Sequence, residues 1–384
     1  MHADIARVLD SLPNRVDVTG VHDEVERRVT AGDPDFARDL ARAIVALGRT
    51  KTEAWQYEAV FSHALCALQT TPGRANIERA ISLPGTRFPE AERQAARFRA
   101  SVLASEQPVE DLLAAVFAPG RTTAAAPYEL RACLLHELVL RGIDVSGLAE
   151  TRGFAAALRS GDHPLAALPT RLLEAEEKVE LPRYSTRGAS HSLPCRSGTE
   201  PPGPSTSPSA GPGPAFGLAE LPDPAQSEAM ATAVNGWREH SNGKIEARVF
   251  AGDAPCDRAH LRAAIDVLPL ECLAGTRRGT VRMDASTAGR AWRMLFSAAS
   301  TGGAYGGSLH GAYGRLAAWH SMTGLVGAPA GTEFEQVDES ARACTWYDLG
   351  TETDWFHGVA WDFGILALRP DRHHVAVLAA TDTD

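Results

Sequence analysis

A chain of 384 residues with 44% hydrophobic and 22% charged side chains is long enough for two cores and too apolar for wholesale disorder. Its formal charge of −10 is shared out as −5 over residues 1–181, zero over 182–224 and −5 over 225–384. A surface that tracks phosphates needs Lys and Arg in excess, so no nucleic-acid partner is expected.

Nowhere do about 18 apolar residues run uninterrupted, which excludes a membrane-spanning helix. The opening Met1-His2-Ala3-Asp4 leads into no apolar h-region, so no secretory signal is expected. The expectation is a cytoplasmic chain without a membrane partner. The six cysteines, Cys66, Cys133, Cys195, Cys256, Cys272 and Cys344, lie far apart with no C-x-x-C pair. That spacing fits reduced, mostly buried thiols rather than a disulfide framework or structural zinc. No metal and no cofactor is expected.

Residues 1–181 read as a run of helices. Asp33-Pro34 offers an N-cap with proline at the first helical position and Gly48 a stop, with Phe36, Leu40 and Ile44 at helical spacing between them. A second helix carries Tyr57, Phe61, Leu65 and Leu68 and breaks at Thr71-Pro72-Gly73. Pro89 and Pro108 start two more. Another runs from Tyr128 to Arg141, and a last, acidic one holds Leu172, Leu173, Glu174, Glu176 and Glu177. Eight to ten helices with no convincing strand suit either an α-solenoid or an irregular bundle.

Composition then changes. Between Ser185 and Ala215 the one large aliphatic residue is Leu193, among Pro201-Pro202, Pro204, Pro208, Pro212 and Pro214. Such a stretch cannot bury enough apolar surface to offset its ordering. Residues 182–224 therefore read as a disordered linker. A short frameshifted stretch of a GC-rich gene would look similar.

Residues 225–384 mix periods. Ala225 to His240 reads as helix. Lys244 to Phe250 alternates charged and apolar residues as a half-buried strand does, and Thr280 to Met283 reads as a second strand. A helix capped by Asp284 or Ser286 carries Trp292, Leu295 and Phe296. The glycine-rich stretch Thr301 to Gly307 leads into another helix, capped by Ser308 and ending at Gly324. The end is the clearest β signal: Val359 to Leu368, a turn at Arg369-Pro370-Asp371-Arg372, then His373 to Ala380, apolar on both faces. The fold class expected is α+β, with a helical domain at 1–181, the linker, and an α+β domain at 225–384.

Gly302-Gly303-Ala304-Tyr305-Gly306, Gly311-Ala312-Tyr313-Gly314-Arg315-Leu316-Ala317-Ala318-Trp319, and the stretch from Asp354-Trp355-Phe356-His357 to Asp384 resemble an uncharacterised bacterial family. It is a domain of unknown function found mainly in high-GC filamentous soil bacteria. The resemblance implies no activity and lends no catalytic residue.

Candidate chemistry is sparse. The loop before the helix at Ser308 is able to offer Ser308 and the amides of Gly306 and Gly307 to an anion, although glycine there also serves tight packing. Asp354, His357 and Asp362, with Asp348 and Glu352 nearby, are the candidates for acid–base work, against the plainer reading that the acids cap a loop. His310 and His320 are 10 residues apart and do not share a helix face; His320 falls on the side of Leu309 and reads as a core residue, and His373-His374 reads as exposed. There is no G-x-S-x-G and no H-E-x-x-H. Residues 331–384 carry −8, with Glu333, Glu335, Asp338 and Glu339 bunched, which suits docking on the chain's own domain, a basic protein partner, or a solvated loop. The leading expectation is a protein-interaction or regulatory module; the alternative is a small-molecule-binding or hydrolytic enzyme seated in the C-terminal domain.

Overall fold

In a computed structural model, residues 3–48, 54–88, 91–118, 126–185, 188–190, 217–277, 280–351, 353–357 and 361–383 are described. The fold is α+β, and the chain divides into two compact units. One is Met1–Ala166 with Arg183–Gly188; the other is Ala167–Pro182 with Ala189–Asp384.

The first unit holds nine α-helices among the described residues: α1 Ala3–Ser11, α2 Thr19–Thr30, α3 Pro34–Ala46, α4 Trp55–Thr70, α5 Arg74–Ile81, α6 Glu92–Glu106, α7 Val109–Leu112, α8 Tyr128–Leu140 and α9 Ala149–Arg159. The local signals act as the sequence implies. The Asp33 carboxylate accepts from the Phe36 amide, Pro34 sits in the first turn, and Gly48 takes a left-handed φ of 69° at the stop. Val21, Val25 and Val29 of α2, Phe36, Leu40 and Ile44 of α3, and Tyr57, Phe61, Leu65 and Leu68 of α4 meet in one core with α1 and Leu83. Helices α1 to α5 thus share a single interior, as a bundle does, instead of each meeting only its chain neighbours. Helix α8 is buried nearly all round, and its buried acid, Glu137, is satisfied by Arg141 at 2.7 Å and by the Ser101 hydroxyl.

The second unit is built on a six-stranded antiparallel sheet in the order β3 Leu218–Glu220, β4 Lys244–Gly252, β8 His374–Thr381, β7 Phe363–Leu368, β6 Thr345–Gly350 and β5 Arg282–Ser286. The earlier pair β1 Arg183–Ser185 and β2 Gly188–Ser190 forms a separate ribbon. The terminal hairpin lies at the sheet's centre, with Ile365 opposite Leu378 and Leu366 opposite Val377. Its turn closes through the Arg369 amide donating to the His374 carbonyl at 2.9 Å. Both strands are apolar on both faces because both faces are covered. On one, Leu366, Leu368, Val375, Val377 and Ala379 pack with α12 (Arg258–Ile265) and the turn Glu271–Leu273. On the other lie α10 Pro224–Ala231, α11 Asn235–His240, α13 Ala288–Thr301, α14 His310–Val326 and α15 Phe334–Ala343.

Several expectations change. The acidic helix at residues 172–177 is not a helix: it is extended chain with one 3-10 turn, Glu174–Glu176, and it belongs to the second unit. Thr287 caps α13, its hydroxyl accepting from the Arg290 amide, while Asp284 and Ser286 lie in β5. Residues Ala225 to His240 form two helices broken at residues 232–234. Strand β4 does not put all its charges into water: the Glu246 carboxylate is buried and accepts the Glu271 and Cys272 amides at 2.9 Å. Residues 218–220, within the stretch read as linker, form the edge strand β3. The Pro-rich core of that stretch, residues 191–216, lies outside the described residues. No helix among the described residues is long and apolar enough to cross a membrane.

Candidate functional site

Three of the acid–base candidates meet. The β6–β7 connection is pinned from within: Trp355 is buried in the core under the sheet with Phe356 packed beside it, and the Thr353 hydroxyl donates to the Cys272 carbonyl at 3.2 Å. Pinning the tryptophan leaves its neighbours Asp354 and His357 at the surface. Together with Asp362, at the start of β7, they line a cleft of about 420 Å3 at the end of strands β5, β6 and β7. Asp362 is half-buried and its carboxylate accepts the hydroxyl of the buried Thr381.

The fourth polar side chain is Arg282, which the sequence did not single out. It stands opposite Gly350 in the β5–β6 register, and its guanidinium lies so close over that glycine that a Cβ at residue 350 would come within 2.8 Å of Nη2. Asp284 shares the head group at 3.4 Å, yet the side chain stays 63% exposed. Thr351 completes the polar wall and is held by Thr276 at 3.1 Å. The cleft is thus lined by a guanidinium, two carboxylates and an imidazole. Asp348 is not part of it, because it pairs with Arg290 of α13 at 2.6 Å. Glu352 lies outside the described residues.

The glycine-rich loop is at the same end of the sheet, but Gly306, Gly307 and Ser308 do not line this cleft. Its donors are largely spent within the loop. Gly303 and Gly306 exchange backbone hydrogen bonds at 2.9 and 3.3 Å. The Ser308 hydroxyl donates to the Ser300 carbonyl and accepts the His310 amide. Glycine at 303 is demanded by a close approach: a Cβ there would fall 2.0 Å from the Asp382 carboxylate, which accepts the Ala304 amide at 2.7 Å. Two consecutive residues at the end of β8 therefore serve both places, Thr381 the cleft and Asp382 the loop.

The remaining candidates separate. His320 is exposed on α14 with its ring edge-on to Phe334, so it is not the core residue expected. His374 pairs with Asp371 at 2.6 Å and His373 with the Gly252 carbonyl at 3.0 Å. Of the bunched acids, Asp338 turns inward and accepts the Ala175 amide at 3.1 Å. Burial pushes the Cys256 and Cys344 thiols up to about 11 and Cys272 higher, which removes them as nucleophiles near neutral pH. No cluster of metal-ligating side chains occurs among the described residues.

The model of a family of unknown function, DUF6183, matches residues 19–384, spanning both units. No curated protein and no solved structure matches the chain.

Proposed function

We propose that this chain, which belongs to the DUF6183 family, binds a small polar molecule carrying groups of both charges in the cleft of its second unit. The observation that carries this is the convergence of Asp354, His357 and Asp362 with Arg282 around one space of about 420 Å3, within the usual size of a ligand site. A ligand of one charge would leave the groups of the other sign without a partner. A zwitterion of amino-acid size serves both signs: its anionic group faces Arg282 and its cationic group faces Asp354 and Asp362. His357 adds an imidazole beside the two carboxylates, side chains of the kind that transfer protons to a bound molecule. A screen of free amino acids, simple ammonium cations and simple carboxylates by thermal shift tests the reading. Protection by the first class alone supports it; equal protection by the single-charge classes removes it.

A second reading, protein interaction through the first unit, draws on a different observation. Val16 is 96% and Trp55 55% exposed, and each adjoins in sequence one end of the hydrogen bond from the Gln56 side chain to the Arg15 carbonyl at 2.7 Å. A partner that co-purifies with the wild type and still does so with Val16→Ser/Trp55→Ser would end this version.

A further inference from the structure

The segment Ala167–Pro182 has little regular structure, yet the second unit grips it with its most buried polar groups. Arg315 of α14 and Glu176 are both 0% exposed. The guanidinium donates twice to the carboxylate, Nε to Oε1 at 2.6 Å and Nη2 to Oε2 at 2.8 Å. It also donates to the Pro169 carbonyl at 2.8 Å and the Arg171 carbonyl at 2.9 Å. Trp319 Nε1, one helical turn on, donates to Glu176 Oε1 at 2.7 Å. From α15, Asp338 accepts the Ala175 amide, and Arg293 of α13 donates to the Glu177 carbonyl at 3.3 Å. Leu173 and Ala175 are turned inward and Glu174 and Glu177 outward. Three helices thus read an extended segment by its backbone and one glutamate, which is how a groove recognises a peptide.

We propose that the surface formed by α13, α14 and α15 is a peptide-binding groove for an extended, glutamate-bearing segment, occupied in this chain by residues 167–182. The strap precedes the Pro/Gly/Ser-rich stretch in the chain but packs with the residues that follow that stretch. Everything N-terminal to a cut in that stretch is therefore held to the second unit through the strap, without a covalent bond. The chemistry is specific to a carboxylate: two guanidinium donors, an indole N–H and the strap's own Leu173 amide converge on its two oxygens, and a neutral amide in that place would turn its NH2 donors toward other donors.

The test uses the full chain with a protease site inserted between Ser209 and Ala210. After complete cleavage the two pieces are expected to elute together as one species at micromolar concentration. The cut Glu176→Gln protein is expected to separate, with an affinity at least about 100-fold weaker, although before cleavage the tethered strap keeps a high effective concentration and the variant folds. Arg342→Ala removes the exposed ion pair to Glu174 at 3.1 Å and the pair to Asp338 at 3.3 Å but no donor to the Glu176 carboxylate, and is expected to weaken association by less than about tenfold. Excess synthetic peptide of residues 167–182 should release the N-terminal piece from the cut wild type, and the same peptide with Glu176→Gln should not. Separation of the cut wild type, or equally tight association of the cut Glu176→Gln protein, overturns the proposal.

Discussion

Replacing Glu176 with Gln in the uncut chain is the sharpest single perturbation of the second unit. The wild-type carboxylate has four donors on its two oxygens, from Arg315 twice, Trp319 and Leu173, and no exposed surface. Removing one partner of a buried ion pair leaves an uncompensated charge and costs about 3–5 kcal/mol. The amide keeps the shape, so little cavity term is added and the loss is electrostatic. In a body of this size 1 kcal/mol corresponds to about 2–4 °C in Tm, so the second unit's transition is expected to fall by roughly 6–20 °C. The double variant Glu176→Leu/Arg315→Met is informative because a plain buried pair is often replaced by apolar groups without loss. Here it would strand the Pro169 and Arg171 carbonyls, the Leu173 amide and the Trp319 N–H, each at about 1–3 kcal/mol, so no recovery is expected. Urea or thermal unfolding followed by tryptophan fluorescence reads both variants. A loss below about 1 kcal/mol for Glu176→Gln, or full recovery in the double variant, would refute the reasoning.

Two pH dependences follow from buried groups. In the first unit the His22 and His63 rings stack at 3.9 Å with 10° between planes. Burial, then the charge of His63, holds His22 below its ordinary 6.5, against the Ala59 carbonyl, Glu26 and Asp17; Glu26 also faces His63 at 3.2 Å. The folded state then binds fewer protons than the unfolded one, so the first unit keeps its stability above about pH 6.5 and loses it as pH falls; His22→Leu should flatten that acid limb in melts at pH 5 and 7.5. In the second unit burial holds the Asp338 carboxyl above its ordinary 3.8, despite the Ala175 amide and Arg342. Its folded form binds the proton more tightly, so wild type loses stability relative to Asp338→Asn as pH rises past that range; equal urea midpoints for the two proteins at pH 7 would contradict this.

The elements written by local chemistry were legible in the residues. Asp33-Pro34 to Gly48 makes α3, and the two apolar runs around Arg369-Pro370-Asp371-Arg372 make the central hairpin because unbroken apolar strands must be covered on both faces. Strands β3 and β6 and helices α12 and α15 were not read, since Leu218–Glu220 and Thr345–Gly350 gain strand character from long-range pairing rather than from their own pattern. The acids at 174–177 looked helical by spacing, yet the Arg315 guanidinium 139 residues away holds them at a single 3-10 turn. At the cleft, Asp354, His357 and Asp362 could be named because they crowd a short acidic stretch. Arg282 could not, as its place depends on its register opposite Gly350. Gly306 and Ser308 looked like anion donors because sequence shows glycine and serine but not that the loop closes on itself.

Titration calorimetry of the full chain with whichever free amino acid protects best, repeated on Arg282→Ala and Asp362→Asn, tests the binding account most directly. The expected result is one site per chain, lost or weakened at least about tenfold, 1.4 kcal/mol, in each variant while both keep the wild-type Tm. Undiminished affinity in both variants would place the ligand elsewhere and contradict the account.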